Sequence, residues 1–299
     1  MIDYFVASVD DRGAGSVAAL VVGDRVHMIP GRPTVADLLD DWDAALDDIE
    51  ALLAAGQLDS GVALGEVRLL APVPVPPNLY MVGANYADHA REMRKLGPDD
   101  PVPKPVEGPF IFLKPTTTVI GDRAEVRLAD GSAKVDWEIE LAAVIGRRAH
   151  KVKVDDALDH VAGYTVSNDI SVRDNFRRSP DSEPPMTFDW FGQKGWATSL
   201  PMGPWLVPAR RLRDPGDLAL RLTRNGVVEQ DSNTSEMIFS VAEQIAYISA
   251  IVPLVPGDVI CTGTCAGVGM GSGRFLAPGD VMVAEIEGIG RLESPVVAD

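Results

Sequence analysis

The chain has 299 residues, of which 46% are hydrophobic and 24% are charged, a composition typical of a soluble globular protein and unlike that of a disordered one. Its 44 acidic residues outnumber 27 lysines and arginines, and the formal net charge of -17 argues against nucleic acid or an anionic membrane as a partner. The chain has no run of about 18 apolar residues and its start lacks a signal-peptide pattern, so we expect a cytoplasmic protein. Its two cysteines, Cys261 and Cys265, are too few for a disulfide framework or a four-cysteine zinc site, and we expect buried free thiols.

The first part of the chain predicts a small α+β unit. Residues 4–9 and 16–22 have the composition of strands, and a turn then leads into a third strand over 26–29. A helix follows, because Thr34 can cap it and apolar residues keep a near-helical spacing until Gly56 ends it. Nothing in this unit suggests catalysis.

A proline-rich stretch over residues 71–77 marks the end of that unit. Prolines cannot donate hydrogen bonds to a sheet, and a run of them holds an extended polyproline conformation. We therefore predict two domains, a small N-terminal domain over 1–70 and a larger one over 71–299.

A histidine and a glutamate share one face of the first helix predicted after the boundary, Tyr86 to Leu96. His89 and Glu92 are three residues apart, so the carboxylate can orient the imidazole and raise its basicity. The pair is a candidate general base for a water molecule. A chance pairing on a surface helix stays open as the alternative. The long proline-rich loop over 97–109 that follows has the length typical of lids and binding loops.

Two glutamates at alternate positions stand out in the stretch Asp136-Trp137-Glu138-Ile139-Glu140, which runs into an apolar segment and predicts a strand. Side chains alternate along a strand, so Glu138 and Glu140 share a face, where a hard divalent cation between them would relieve their repulsion. Asp169, at the end of the next predicted strand, is well placed as a third oxygen ligand. An exposed Glu-x-Glu on the wet face of an edge strand is the alternative.

The segment between residues 171 and 196 concentrates positive charge among aromatic side chains. In so acidic a chain this cluster could receive an anionic substrate, with Lys194 as the point charge. Exposed pairs such as Arg173 with Asp174 could instead be merely solvated. The cations are Arg173, Arg177, Arg178 and Lys194.

The last third of the chain predicts a hairpin and a helix. Asn225-Gly226 after a strand-like run is a strong hairpin signal. Residues 235–251 have helical periodicity, with Asn233 or Thr234 as the cap, and this helix is expected to serve packing.

A loop of small residues over 262–269 could use its backbone amides to hold a carboxylate as an anion nest. A nucleotide site is excluded, because no Gly-Lys-Ser/Thr follows and the glycine spacing of a dinucleotide-binding loop is not met.

Together these stretches resemble the fumarylacetoacetate hydrolase family over about residues 71–297. The resemblance implies a β-rich α+β fold, with a mixed β-roll or sandwich catalytic domain behind a small N-terminal α+β domain. It also implies a homodimer that binds Mg²⁺ or Mn²⁺. The motifs that carry it are Gly83-Ala84-Asn85-Tyr86-Ala87-Asp88-His89 with Glu92, Val135 to Leu141, Ala162 to Asp169 with Arg173-Asp174, Gln193-Lys194, Pro201 to Trp205, Asn225-Gly226 with Gln230, and Thr262-Gly263-Thr264.

The resemblance also implies roles for particular residues. Metal ligands are Glu138, Glu140 and Asp169, the water-activating pair on a lid is His89 with Glu92, and the substrate-binding lysine is Lys194. Further contacts to substrate fall on Tyr86, Arg173, Gln230 and Thr264. Two features depart from the family pattern: Cys265, where a proline is expected, and the long segment over 176–191.

The expected reaction is metal-dependent hydrolysis of a carbon–carbon bond in a 2,4-diketo acid or acylpyruvate-like substrate. The metal would act as a Lewis acid for an enolate, His89 would activate water, and Lys194 and the Thr264 loop would stabilise negative charge. Decarboxylation of an oxaloacetate-like acid, tautomerisation or isomerisation of a hydroxydienoate, and dehydration of a sugar acid are the alternatives at the same site. A metal-binding scaffold without turnover is a third hypothesis.

Overall fold

The computed structural model describes residues 3–13, 15–31, 33–179 and 181–299. Over these residues the strands form a twelve-stranded sheet, a five-stranded sheet and a two-stranded pair, with short helices between them. The β-rich α+β class predicted from the sequence is confirmed.

Along the described part of the chain the longest helix, Trp42–Ala54, has 13 residues. The strands are β1 Phe5–Asp10, β2 Ser16–Val22, β3 Arg25–Met28, β4 Val62–Ala63, β5 Leu69–Leu70, β6 Leu79–Gly83, β7 Phe110–Leu113, β8 Val119–Ile120, β9 Val126–Arg127, β10 Val135–Asp136, β11 Ile139–Ile145, β12 Val161–Asn168, β13 Ser171–Val172, β14 Leu200–Pro208, β15 Ala219–Arg224, β16 Val227–Asn233, β17 Val259–Thr264, β18 Val281–Ile286 and β19 Gly290–Val297. The α-helices are α1 Val35–Leu39, α2 Trp42–Ala54, α3 Ala87–Arg94, α4 Val154–Ala157, α5 Trp190–Lys194, α6 Val241–Ile251 and α7 Gly269–Ser272.

The large sheet joins the beginning of the chain to the rest. Its strand order is β4-β3-β2-β1-β14-β12-β11-β17-β6-β7, and β1 pairs with β14 at Val6 and Leu206. The stretch 71–77 therefore connects two regions whose strands belong to one sheet. The division into domains 1–70 and 71–299 stays a proposal about how the chain is organised.

A sandwich core lies between the two sheets. The smaller sheet has the order β16-β15-β18-β19-β9, and its Leu222 and Met282 belong to the same buried cluster as Leu141 and Val166 of the large sheet. The hairpin predicted at Asn225-Gly226 is confirmed, because both residues have the positive φ, 53° and 79°, that a tight turn between antiparallel strands requires. The apolar alternation of these strands thus fixes which faces meet.

A second core lies under the N-terminal helices. Trp42 and Leu46 of α2 pack in one cluster with Leu79 and Val144. The single helix predicted from Thr34 to Gly56 is wrong: two helices occupy this stretch. Thr34 caps the first, as expected, but the side chain of Asp41 accepts a hydrogen bond from the amide of Ala44 and starts a new helix. An aspartate inside a helical pattern thus acts as a cap.

The helix predicted over 235–251 begins later, at Val241. Ser240 and Glu243 form a reciprocal capping box there, whereas Asn233 caps a single 3₁₀ turn. Between the two, the backbone of Asn85 accepts from the amide of Ile238. The expected caps at Asn233 or Thr234 are therefore wrong, because a Ser-x-x-Glu box satisfies more helix amides than either residue.

Candidate active site

Three carboxylates meet at one edge of the large sheet. Glu140 lies on β11, Glu138 is the residue directly before β11, and Asp169 is the residue directly after β12. β11 and β12 are antiparallel neighbours, so the start of one lies beside the end of the other. One oxygen from each side chain lies within 4.8 Å of the others, and all three residues are buried. The structure thus brings together the predicted metal ligands and excludes the exposed-edge alternative.

The backbone around Glu138 explains its position. The strand predicted over the Glu-x-Glu stretch is interrupted at residues 137–138, because side chains take the amides there. The amide of Glu138 donates to Asn168 Oδ1 at 2.9 Å, and that of Ile139 donates to Gln230 Oε1 at 3.0 Å. These two bonds hold the segment where the acidic side chains converge.

Three buried or half-buried cations surround the carboxylates. Lys194 Nζ lies 2.7 Å from Glu138 Oε2 and 2.6 Å from Asp169 Oδ2. Lys114 Nζ lies 2.6 Å from the other oxygen of Asp169. Arg173 pairs with Glu138 and with Asp136, and it does not pair with Asp174 as the alternative supposed. The predicted Lys194 and Arg173 therefore belong to the cluster.

The ion pairs are unevenly shared: among the residues that the structure describes, Glu138 and Asp169 pair with cations and Glu140 does not. Burial alone would raise the pKa of Glu138, but the charges of Lys194 and Arg173 prevail and lower it to about 2. Burial, together with the charges of Asp169 and Glu138, raises the pKa of Glu140 well above its usual range. The hydrogen bond recorded for Glu140 is from the Gly263 amide, at 2.8 Å. Of the three predicted ligands, Glu140 is thus the one whose negative charge is least compensated.

This donor set fits a hard divalent cation. Three carboxylate oxygens that converge, one of them held at a high pKa by its neighbours, suit Mg²⁺ or Mn²⁺, which bind oxygen and keep positions open for water or substrate. Glu138, Glu140 and Asp169 are the side chains that could hold such an ion.

The predicted histidine–glutamate pair lies on α3. His89 Nδ1 and Glu92 Oε2 are 3.4 Å apart, and Nδ1 makes no hydrogen bond in this arrangement. Instead, both oxygens of Glu92 lie 3.1 Å from the amide of Gly267. His89 faces the carboxylate cluster across a cavity, whereas Glu92 faces the loop behind it.

A cavity of about 300 Å³ lies over the carboxylates, and seven of the ten predicted site residues line it. One wall is apolar, where the Trp190 ring contacts those of Phe112 and Phe176, with ring centres 5.1 and 4.9 Å apart. The seven are His89, Glu138, Glu140, Asp169, Arg173, Lys194 and Thr264.

The other three predicted residues stand behind the cavity. Glu92 binds the loop as described, and Tyr86 is fully buried, so that burial raises its pKa well above the usual range. Gln230 is also fully buried, and its amide nitrogen donates to Thr264 Oγ1 at 2.9 Å. Gln230 thus ties the start of β11 to the end of β17, and its predicted contact with substrate stays a prediction.

The loop predicted to form an anion nest binds this chain's own carboxylates. Besides Gly263 with Glu140 and Gly267 with Glu92, the amide of Gly269 donates to Asp136 at 2.6 Å. These amides are therefore engaged, and the expectation that they receive a substrate carboxylate is corrected.

Two polar residues of the site had no role in the sequence-based predictions. Lys114 follows the apolar strand β7 and precedes a proline, and a lone charge in that place is the signal that could have found it. Gln193 lines the cavity beside Lys194, and its buried Oε1 makes no hydrogen bond. Cys261 and Cys265 are buried free thiols, as expected.

Comparison with known proteins identifies the class. Residues 78–297 match the family model of the fumarylacetoacetate (FAA) hydrolase C-terminal domain. The chain is 40% identical over 266 residues to oxaloacetate tautomerase FAHD2B, mitochondrial, of Homo sapiens, which covers 88% of this chain and 80% of that protein. The chain belongs to the fumarylacetoacetate hydrolase family.

Two solved structures that match nearly the whole chain are named for different reactions, an isomerisation and a hydrolysis. A 5-carboxymethyl-2-hydroxymuconate delta-isomerase from Mycobacterium smegmatis has a TM-score of 0.74 and 32% identity, covering 99% of each chain. A maleylpyruvate hydrolase from Sphingobium sp. SYK-6, solved with manganese(II) and pyruvate, has a TM-score of 0.78 and 27% identity, covering 98% of this chain and 99% of that one. The family therefore defines an oxo-acid enzyme, and it leaves the reaction open. No helix among the described residues is long and apolar enough to cross a bilayer.

Proposed function

We propose that this chain is an Mg²⁺- or Mn²⁺-dependent enzyme that converts a small 2-oxo acid through its enolate. The observation that carries the proposal is the buried cluster of Glu138, Glu140 and Asp169 at the floor of a cavity. A divalent cation in this place would supply Lewis-acid stabilisation of negative charge on a substrate oxygen.

The chain's own cations would attract and orient the acid. Burial lowers the pKa of Lys194, but the charges of Asp169 and Glu138 outweigh this and raise it, so its ammonium group stays charged at neutral pH. The ammonium group lies at the cavity, where it can bind a substrate carboxylate as a point charge. Arg173, which also lines the cavity, adds positive charge beside Glu138.

His89 is the group placed to move a proton. Its ring lines the cavity, Nδ1 makes no hydrogen bond, and the Glu92 carboxylate lies 3.4 Å from Nδ1. In tautomerisation the enol oxygen loses a proton and C3 gains one, so no other reactant is needed. His89 can take or give such a proton if the substrate lies between it and the carboxylates.

Tautomerisation or double-bond isomerisation is the reaction we place first. The relative named as an oxaloacetate tautomerase is 40% identical over 88% of this chain, and the isomerase is 32% identical over 99%. The site supports this choice because proton transfer at C3 requires an enolate-stabilising charge and one acid–base group.

Hydrolysis of a carbon–carbon bond is the second candidate, favoured by the His89–Glu92 pair. Here water would add to the C4 carbonyl, the C3–C4 bond would break, and C3 would take a proton. The products would be a pyruvate and a carboxylic acid. Only this reaction needs a base that makes water a nucleophile, and His89 with Glu92 could be that base.

The experiment that tests the proposal compares the two reactions on one protein sample. Purified protein with Mg²⁺ or Mn²⁺ would receive enol-oxaloacetate, followed by absorbance, and acetylpyruvate, followed by the pyruvate released. We expect metal-dependent conversion of at least one, lost on adding a chelator and in Glu140→Gln. Metal-loaded protein that converts neither would overturn the proposal.

A homodimer and a cytoplasmic location complete the proposal. The homodimer comes from the family resemblance, and the location comes from the sequence composition. The human relative, in contrast, is named as mitochondrial.

A further inference from the structure

A second cavity of about 690 Å³ adjoins the one that holds the carboxylates. Four residues line both: Gly83, Ala84, His89 and Met93. Two of these have little or no side chain, so His89 and Met93 are the side chains that stand between the two spaces. The two cavities therefore meet at His89 and Met93, the place where one ligand could extend from the carboxylates into the larger cavity.

The wall of the larger cavity is apolar. The end of α6 contributes Ile248 and Ile251, the segment before this helix contributes Ile238 and Phe239, and prolines of the loop over 97–109 close the other side. Its charged side chains, Arg94 and Glu107, are exposed at the rim. A space of this volume and character is typical of pockets that bind the apolar part of a small molecule.

Contacts between the loop over 97–109 and the rest of the protein hold this wall in place. Lys104 Nζ lies 2.5 Å from Glu243 Oε1 and 4.7 Å from the centre of the Phe239 ring. Arg91 of α3 donates to the carbonyl oxygen of Asp100 at 3.0 Å. The loop is thus attached both to α6 and to α3, the two helices that border the cavity.

We propose that the larger cavity binds an apolar acyl tail, so that the substrate is a 2-oxo acid with an extended hydrocarbon end. The proposal rests on the proposed function, since the oxo-acid head must lie at the carboxylates. His89 and Met93 then contact the substrate where head and tail join. The apolar wall of the larger cavity, with its charges confined to exposed residues, agrees with a tail that carries no second charge.

A second copy of this chain is the rival occupant of the same surface, because Ile251 is 72% exposed. The recess between α3, α6 and the loop favours a tail, since a chain of methylenes can fill a recess that a broad protein surface would only cover. The experiment below distinguishes the two.

The test measures kcat/KM for 2,4-dioxo acids with five, seven and nine carbons, in the presence of Mg²⁺. Each methylene that leaves water should raise kcat/KM roughly three- to fourfold. Equal values for the three acids would overturn the inference and leave the proposed function intact. If the protein converts none of the three acids and does not convert oxaloacetate either, the proposed function itself is refuted.

Two substitutions locate the tail. Ile251→Asp places a charge in the apolar wall, and Met93→Trp fills the junction. Each should lower the ratio of kcat/KM between the nine- and five-carbon acids by about tenfold, the effect of roughly two methylenes. Val227→Asp, at a residue that lines neither cavity and is 57% exposed, should leave the ratio unchanged.

Light scattering on the same variants tests whether a second copy of the chain covers this surface instead. If Ile251→Asp converts a dimer to a monomer and leaves the ratio unchanged, this surface is an interface and the tail site is wrong. A lower ratio with the oligomeric state unchanged supports the tail site.

Discussion

Lys114 donates to Asp169 across a fully buried contact, with 2.6 Å between Nζ and Oδ1. The same ammonium group also donates to the carbonyl oxygens of Ile170 and Ser199, at 3.2 and 2.8 Å. All three partners lie close to the end of β12 or the start of β14. Lys114 therefore fixes one oxygen of Asp169, while the other oxygen accepts a hydrogen bond from Lys194 at 2.6 Å.

We expect Lys114→Met to destabilise the protein by about 3–5 kcal/mol, because breaking a buried ion pair leaves Asp169 Oδ1 without its cation and only Lys194 to compensate the carboxylate. Denaturant unfolding measures this. Lys104→Met removes an ion pair of a partly exposed lysine and should cost no more than about 1 kcal/mol. Similar values for the two variants would contradict the role assigned to Lys114.

Glu140→Gln should abolish divalent cation binding, since it removes one carboxylate ligand and keeps the side chain's size. Calorimetry with Mn²⁺ tests this on a protein whose circular dichroism is unchanged. The half-exposed Glu285→Gln serves as the matched control and should bind as the parent does. Parent-like affinity in Glu140→Gln would rule out the ligand assignment.

The raised pKa of Glu140 predicts how pH affects stability without metal. A buried acid with a raised pKa stabilises the fold fully below its unfolded pKa, near 4.5 for a glutamate, and this contribution is lost as pH rises through the folded pKa. Glu138, whose pKa is lowered to about 2, contributes the opposite way, with its stability present above the unfolded pKa.

Unfolding in the presence of a chelator, followed from pH 5 upward, should therefore show a loss of stability that Glu140→Gln removes. Saturating Mg²⁺ should remove it as well, because the cation favours the ionised carboxylate. A pH profile identical in parent and variant would show that Glu140 does not titrate in this range.

The His89–Glu92 pair separates hydrolysis from tautomerisation. If the chain is a hydrolase, His89→Ala and Glu92→Gln should each lower turnover of acetylpyruvate roughly 10²–10⁴-fold, the scale of a lost general base. The double variant should be little worse than the worse single one, because the two residues act as a unit. If both single variants turn over acetylpyruvate within about threefold of the parent rate, His89 and Glu92 do not act as a general base of the expected strength.

The family resemblance predicts a homodimer. Light scattering at micromolar concentration should give about twice the chain mass of 31.9 kDa. A mass equal to one chain across the accessible concentrations would refute this.

Local patterns were sufficient for much of the fold and for the three acids. Strand alternation predicts that Glu138 and Glu140 share a face, and the two carboxylates do converge, although the strand is interrupted at residues 137–138. The Asn-Gly turn identifies its hairpin. The break between α1 and α2 was also present as a local signal, since Asp41 is followed three residues later by the amide that it caps.

The features of the site that could not be predicted from the sequence depend on contacts between distant parts of the chain. Lys114 and Asp169 are 55 residues apart, and the loop amide of Gly267 is 175 residues from Glu92. No periodicity or turn rule pairs residues at such separations. From the sequence alone, the loop amides could be expected to bind a substrate carboxylate. In the structure, carboxylates from distant parts of this chain bind them.

The pairing of β1 with β14 has a consequence for protein engineering. β14 is hydrogen-bonded on its other side to β12, whose end carries Asp169, and the Trp42 side chain donates to the carbonyl oxygen of Ala162 in β12 at 2.8 Å. Cutting the chain at the proline stretch would remove β1 from β14, leaving the short β8 as its partner besides β12, and would uncover the apolar surface beneath α2. An exposed strand edge of this kind favours aggregation. A fragment that begins after residue 70 would therefore need a replacement strand, because the first 70 residues cover this edge in the protein.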